Sequence, residues 1–129
     1  MVTDPLINSE VLAYLAGFVD GEGCFLYDTS PRITVSNTYL PMLCLFKTLF
    51  GGGVYWAKRG DKSSRNLFQF KIAGDQAIAL GWAIAPYLKE KHDQWVCVLD
   101  MRSMPANERK ELKATLKNLK RIEYTYDSC

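Results

Sequence analysis

Residues 15–23 read Leu-Ala-Gly-Phe-Val-Asp-Gly-Glu-Gly, a small-residue helix that runs straight into two carboxylates set between glycines. No other stretch constrains this chain as tightly. Leu12, Leu15, Ala16 and Val19 keep the i, i+3, i+4, i+7 spacing of a buried helical stripe. Ala13, Ala16 and Gly17 sit on nearby faces, where the lack of bulk lets a second backbone come very close. Two such helices side by side hold their acids, Asp20 and Glu22, near one another, where hard divalent cations can be shared. Asn8 or Ser9 is placed to cap the helix before Glu10, an acid suited to a first turn. Gly21 and Gly23 are expected to stop it.

Two runs of strand character follow, about 24–29 and 32–37, expected to join across Ser30-Pro31. Pro41 opens a second helix with a stripe of Leu43, Phe46, Leu49 and Phe50, which Gly51-Gly52-Gly53 ends. A triple glycine can cradle phosphate when it opens a helix; here it follows one and reads as a C-cap. A second hairpin runs from Val54 to Arg59, through a polar turn at 60–66, and back from Leu67 to Ile72. In its return strand Phe68, Phe70 and Ile72 alternate with Leu67, Gln69 and Lys71, a period of two. Asp75 is expected to cap a nearly all-apolar, buried helix through Ile84, broken by Pro86. A further helix carries Trp95, Val98, Leu99 and Arg102. The last, about 106–122, has a Leu112, Leu116, Leu119 stripe and a basic outer face. The order predicts an α+β fold, αββαββα, with a four-stranded antiparallel saddle sheet backed by helices on one face. A length of 129 residues fits one domain, with a core at about 8–104 and the C-terminal helix beyond it.

Net charge is only +2, but its distribution is uneven. Residues 1–57 hold two bases against five acids, whereas residues 58–71 hold Lys58, Arg59, Lys62, Arg65 and Lys71 against Asp61 alone. A basic hairpin on a near-neutral body suits a polyanion, although an ordinary solvated loop can carry the same charges. No run of about 18 apolar residues exists, and the start shows no signal-peptide pattern, so a soluble, intracellular protein is expected, with no membrane partner and no secretion. Cys24, Cys44, Cys97 and Cys129 show neither zinc-ligand nor framework spacing. Four cysteines can in principle pair, but reduced, mostly buried thiols in a cytosolic-type compartment (cytoplasm, nucleoid or organelle matrix) are the expectation.

The stretch Leu15–Gly23 resembles the signature of the LAGLIDADG homing endonucleases. Five of nine positions equal the name-giving letters, with Phe18, Val19, Gly21 and Glu22 as conservative variants. It sits on the first helix, directly before a hairpin, within the αββαββα order, and the resemblance covers nearly the whole chain. It implies a homodimer of the single-motif type, since the motif occurs once, packed through Ala13, Ala16, Gly17 and Asp20. It implies Glu22 as metal ligand, joined by the carbonyl of Gly21, with Mg²⁺ as cofactor and Mn²⁺ or Ca²⁺ as other cations that bind. Lys91, with Lys89 as substitute, matches the lysine near the scissile phosphate, and Asn37 falls where a polar side chain positions water. The second helix begins Tyr39-Leu40-Pro41-Met42, where some relatives carry a basic residue of the active-site water network.

Metal ions aligned by carboxylates activate water and stabilise charge on a phosphodiester, and a twofold dimer directs one Glu22 at each strand. The resemblance therefore implies a site-specific double-strand DNA endonuclease carried by an intron or another mobile genetic element. A two-stranded ribbon fits the major groove; an eight-residue strand spans roughly 27 Å, on the order of eight base pairs. Alternation makes Asp28, Ser30, Arg32, Thr34, Trp56, Lys58, Gln69 and Lys71 the candidate readers of DNA. Trp56 serves equally well as a core residue, and a one-residue shift in the first or third strand swaps its faces. Arg59, Lys62 and Arg65 near the hairpin tip suit phosphate. His92 next to Lys91 reads as a surface or capping residue, with a direct role at the site as the alternative. Lys110, Lys113, Lys117, Lys120 and Arg121 read as a solvated helix face, with contact to the DNA backbone as the alternative. The alternative function is a non-cleaving nucleic-acid binder, an intron RNA maturase or a regulator.

Overall fold

The structure is a computed structural model and describes residues 7–125. Helix α1 (Ser9–Glu22) is capped by Asn8, whose side-chain oxygen accepts the Val11 N–H at 2.9 Å. Gly21 continues this helix rather than stopping it; the end comes at Gly23, whose N–H donates to the Val19 carbonyl. Strands β1 (Gly23–Asp28) and β2 (Ser30–Asn37) are joined at Thr29, with Asp28 paired to Ser30. The turn therefore precedes Ser30-Pro31. Thr29 takes φ +57°, and Pro31 enters β2 opposite Tyr27, before the ladder to the next strand begins at Arg32. A proline is tolerated at that place because a missing N–H interrupts no bond of the later ladder.

Helix α2 (Leu40–Phe50) starts with Pro41 in its first turn and is stopped by Gly51 at φ +89°, whose N–H reaches the Lys47 carbonyl at 2.9 Å. The triple glycine thus acts as a helix C-cap. Strands β3 (Gly53–Lys58) and β4 (Leu67–Ala73) form the second hairpin. Helix α3 (Gly74–Ile84), a 3₁₀ turn (Ala85–Tyr87), α4 (His92–Arg102), a second 3₁₀ turn (Ala106–Glu108) and α5 (Lys110–Leu119) complete the order. The expected helix over 106–122 is thus divided and shorter, broken at Arg109 between the turn and α5.

The sheet is fully antiparallel with order β1-β2-β4-β3, so the two hairpins meet through their second strands. Alternate residues sort to its two faces. Phe25, Ile33, Val35, Phe70 and Ile72 point to the helix layer and are buried with Leu15, Val19, Leu43, Phe46, Leu80, Ile84 and Trp95. Phe46 bridges this layer, with ring centroids 5.3 Å from Phe70 and 6.2 Å from Phe18. Among the described residues no helix covers the other face of β2 and β4, where Arg32 and Lys71 are exposed. The α+β architecture expected from the element order is the one observed.

Three local expectations fail. Asp75 does not cap α3: Ala73 holds the capping position, and the Asp75 carboxylate pairs with Arg102 of α4. Nor is α3 buried all round, because Trp82 is 59% exposed on its outer side. The thiols are not mostly buried: Cys97 is buried, Cys24 is half-buried and Cys44 is exposed, all three free, while Cys129 lies outside the described residues. Burial, followed by the charge of Asp100, raises the Cys97 pKa, and its thiol donates to the Leu112 carbonyl at 3.2 Å.

Trp95 is the tightest point of the core. Its ring lies 5.8 Å from Phe25 and 6.2 Å, edge-on, from Trp82, and the outer edge of its six-membered ring comes so close to Gly81 of α3 that a Cβ there would overlap it. Gly81→Ala is therefore expected to destabilise the fold by about 1–3 kcal/mol through overpacking. Urea unfolding checks this: the midpoint falls while the slope stays unchanged.

Candidate functional site

The last turn of α1 is tied to the segment between the first 3₁₀ turn and α4 in both directions. The Asp20 carboxylate accepts the backbone N–H of Lys89 at 2.7 Å and that of Lys91 at 3.0 Å. In return the Lys91 ammonium donates to the carbonyls of Val19 at 3.2 Å and Asp20 at 2.5 Å. Each bond joins a charged group to a peptide dipole, which makes it stronger than a neutral pair. The cation also sits where the helix dipole is negative, adding a second donor to the Val19 carbonyl, which already takes the Gly23 N–H. Lys91 rather than Lys89 is the lysine brought to the end of α1.

Beyond this clamp Glu22 is exposed and makes no hydrogen bond or ion pair among the described residues. Gly21 has open space where a side chain would stand, as does Gly17. Ala13, Gly17 and Gly21, four residues apart, therefore form an uncovered shallow strip along the outside of α1, ending at Glu22. Of the other expected interface residues, Ala16 is enclosed by its own chain and Asp20 is engaged within it. Ala16 has 0% exposure and belongs to the core of this chain, because its position matches the inward stripe with Leu15 and Val19. Asp20 is half-buried and both its oxygens are used inside the chain.

An exposed carboxylate and a neighbouring backbone carbonyl are hard oxygen donors of the kind Mg²⁺ prefers. Among the described residues no group of three His, Cys, Asp or Glu side chains comes together. One chain thus offers Glu22 and Gly21 as a partial ligand set, and further oxygens must come from outside it.

The uncovered sheet face is defined by register. Asp28 faces Ser30, Leu26 faces Arg32 and Cys24 faces Thr34; across β2, Thr34 faces Lys71 and Ser36 faces Gln69. On β3, Tyr55 faces Gln69 and Lys58 faces Leu67. Of the sequence candidates, Asp28, Ser30, Arg32, Thr34, Lys58, Gln69 and Lys71 thus share one face. Trp56 does not: it pairs with Phe68 on the helix side, rings 4.9 Å apart, and stays 51% exposed near the sheet edge. Strict alternation put Trp56 and Lys58 together; a β-bulge between them inserts one residue and reverses the order. Tyr55 is the residue that alternation missed, and the register of β4 points to it, since Gln69 faces outward. The Lys71 ammonium lies 5.8 Å from the Tyr55 ring centre.

Arg59 stacks over Trp56 at 4.7 Å, while Lys62 and Arg65 are exposed in the connecting loop. Asp61 organises that loop by accepting the N–H and hydroxyl of both Ser63 and Ser64. These bonds, the Ser63 N–H foremost, lower the Asp61 pKa from the ordinary value. A pKa depressed in the folded state means support that is full above the ordinary carboxylate value and is lost as pH falls through the lowered one.

Asn37 uses its side-chain oxygen to accept the Tyr39 N–H at 2.8 Å at the entrance to α2. It lies two residues past Val35, the partner of Gly23, at the sheet end where α1 delivers its acid. His92 is the first residue of α4, exposed, with its ring 3.7 Å from the adjacent Asp93 carboxylate. No helix among the described residues is long and apolar enough to cross a membrane.

Neither a protein-family model nor a curated protein matches this chain. Solved structures do. The homing endonuclease I-CvuI, in complex with its target in the presence of calcium, is 22% identical, with a TM-score of 0.68 over 88% of this chain and 84% of that one. The archaeal intron-encoded homing endonuclease I-Vdi141I, complexed with DNA, is 14% identical, with a TM-score of 0.67 over 91% and 88%. The LAGLIDADG meganuclease I-AabMI, bound to uncleaved DNA, is 18% identical, with a TM-score of 0.61 over 91% of this chain but 47% of that one. This chain has the fold of the LAGLIDADG homing endonucleases.

Replacing Asp20 by alanine removes the acceptor of two backbone N–H groups and is expected to cost about 1–3 kcal/mol. Asp20→Asn, which keeps one acceptor oxygen, should lose less. Urea midpoints of the two variants check the order; equal stability of wild type and Asp20→Ala would refute the clamp.

Proposed function

We propose that this chain is a site-specific, divalent-metal-dependent DNA endonuclease that acts as a homodimer on a long, roughly palindromic target. The observation that carries this reading is Glu22, an unpartnered acid at the end of a side-chain-poor helix strip and at the start of an uncovered sheet face. The likeness to I-CvuI and I-Vdi141I, each solved with DNA, supports the substrate class. That the chain matches most of I-CvuI but 47% of I-AabMI supports two copies per working unit.

In this reading Ala13, Gly17 and Gly21 of one protomer meet the same strip of its partner about a twofold axis, bringing two Glu22 carboxylates together. Glu22 and the Gly21 carbonyl hold Mg²⁺ together with DNA oxygens. When bound, the cation supplies positive charge to the reacting phosphate and makes its bound water more acidic. Lys91 spends two donors on α1 carbonyls; an ammonium has three, so one N–H is left for a phosphate oxygen. Asn37 spends its oxygen on Tyr39 and keeps its amide NH₂ for a water. Arg32, Thr34, Tyr55, Gln69 and Lys71 face base edges in the major groove, with Asp28, Ser30 and Lys58 toward the strand ends. Lys62 and Arg65 at the loop reach phosphate.

Glu22→Gln should reduce cutting of duplexes recovered from a randomised library by more than about 100-fold in Mg²⁺, beyond the loss of a supporting group at a metal site. Binding of those duplexes should stay near wild type. Preserved cutting would reject the mechanism. A wild-type protein that binds without cutting at any divalent cation would instead favour the non-cleaving reading, a maturase or regulator. Gly17→Leu should give monomer or aggregate by sedimentation, because the added side chain stands where the partner backbone must come; an unchanged assembly would exclude this interface.

A further inference from the structure

The lysines of the C-terminal helix are sorted to one side. Lys110, Lys113, Lys117 and Lys120 lie within an arc of about 80° at 100° per residue. Like charges three and four residues apart repel, and none of these four makes an ion pair among the described residues. Acids border the row: Asp93 and Asp100 of α4 line a hollow with Leu112, Thr115 and Leu119, and Glu90 and Asp93 share a hollow with Lys120 and Cys24. Lys113, Lys117 and Lys120 also share a groove with Leu26 and Tyr27 of β1, and no acid lines that groove. The Lys120 ammonium lies 3.3 Å from the Cys24 sulfur, and Cys24 pairs with Thr34 on the uncovered face. A thiol is a weak acceptor, so this contact leaves the ammonium free to bind an anion. Because β1 is an edge strand, the lysine row continues the uncovered face past its border.

We infer that Lys113, Lys117 and Lys120 form a phosphate rail holding the backbone of the duplex that lies on the sheet. This rests on the DNA-binding reading above and adds to it a surface outside the sheet. From Lys113 to Lys120 the helix advances about 10 Å at 1.5 Å per residue. Against one charge per about 3.4 Å of axis per strand, that spans about three phosphates. The row ends at Cys24, two residues from Glu22, so it grips the backbone just before that acid. A row of ammonium groups against phosphates adds affinity without reading sequence.

The test is the salt dependence of binding to a labelled 40-base-pair duplex of mixed sequence, between about 50 and 200 mM salt. The triple variant Lys113→Gln/Lys117→Gln/Lys120→Gln is expected to lower the slope of log affinity against log salt by about 2–3, near 0.9 per lost contact. Lys117→Gln alone lowers it by about 0.9, Lys47→Gln in the helix layer leaves it unchanged, and the triple arginine variant keeps the wild-type slope. All three lysines are exposed, and circular dichroism verifies that each variant is folded. A wild-type slope in the triple glutamine variant overturns the rail and leaves the DNA reading standing. No duplex binding by the wild type overturns both. Loss of binding to phosphatidylserine vesicles without a change in duplex slope assigns the row to a membrane surface and also overturns the rail.

Discussion

The outer side of α1 carries too little side chain to hold its own last turn, so the turn is held from within the chain. Asp20 and the segment 88–91 do this reciprocally, the carboxylate taking two amides and the Lys91 ammonium returning to two carbonyls. The arrangement meets the needs of both partners at once. A helix C-terminus leaves carbonyls short of donors, and the chain leaving a 3₁₀ turn leaves amides without acceptors. Because the clamp uses Asp20, the following glycine and Glu22 can remain uncovered while their position is still fixed. Two acids in one short motif therefore have opposite duties, one structural and turned inward, one free and turned outward.

The same division explains why α1 is tight on one side and bare on the other. Leu15, Ala16 and Val19 are fully buried against the sheet and helix layer, and Ala13, Gly17 and Gly21 are left open. Small residues serve both sides for different reasons. Ala16 lets α1 sit deep in its own core, whereas Gly17 offers a flat outer surface. Sequence spacing shows that small residues are present but cannot say which backbone each one admits, and this is why Ala16 was expected at a partner surface.

Much of the architecture was readable because local signals agreed with one another. The caps at Asn8 and Gly51, the period of two in β4 and the stripe of α2 each point to the observed element. The misplaced details share one physical origin: they depend on contacts between elements distant in sequence. Asp75 looked like a cap until Arg102 of another helix claimed it. Gly21 looked like a stop, yet it lies within the last turn of the helix, which the clamp holds and which ends one residue later at Glu22. Trp56 and Lys58 looked like neighbours on one face because a bulge leaves no mark in the alternation of side chains. The candidate site was legible at Glu22, Gly21 and Lys91 through the motif and the stretch before α4, whereas Tyr55 could be found only by counting across from Gln69.

The alternation in β2 has an evolutionary consequence. Ile33 and Val35 anchor the strand to the core, and Arg32 and Thr34, which alternate with them, point to the opposite face. Substitutions at the second pair alter the chemistry displayed on the sheet while the first pair keeps the scaffold intact. If the sheet face reads DNA as proposed, a lineage built on this strand can drift toward a new address on a genome by changing every other residue while its scaffold stays folded.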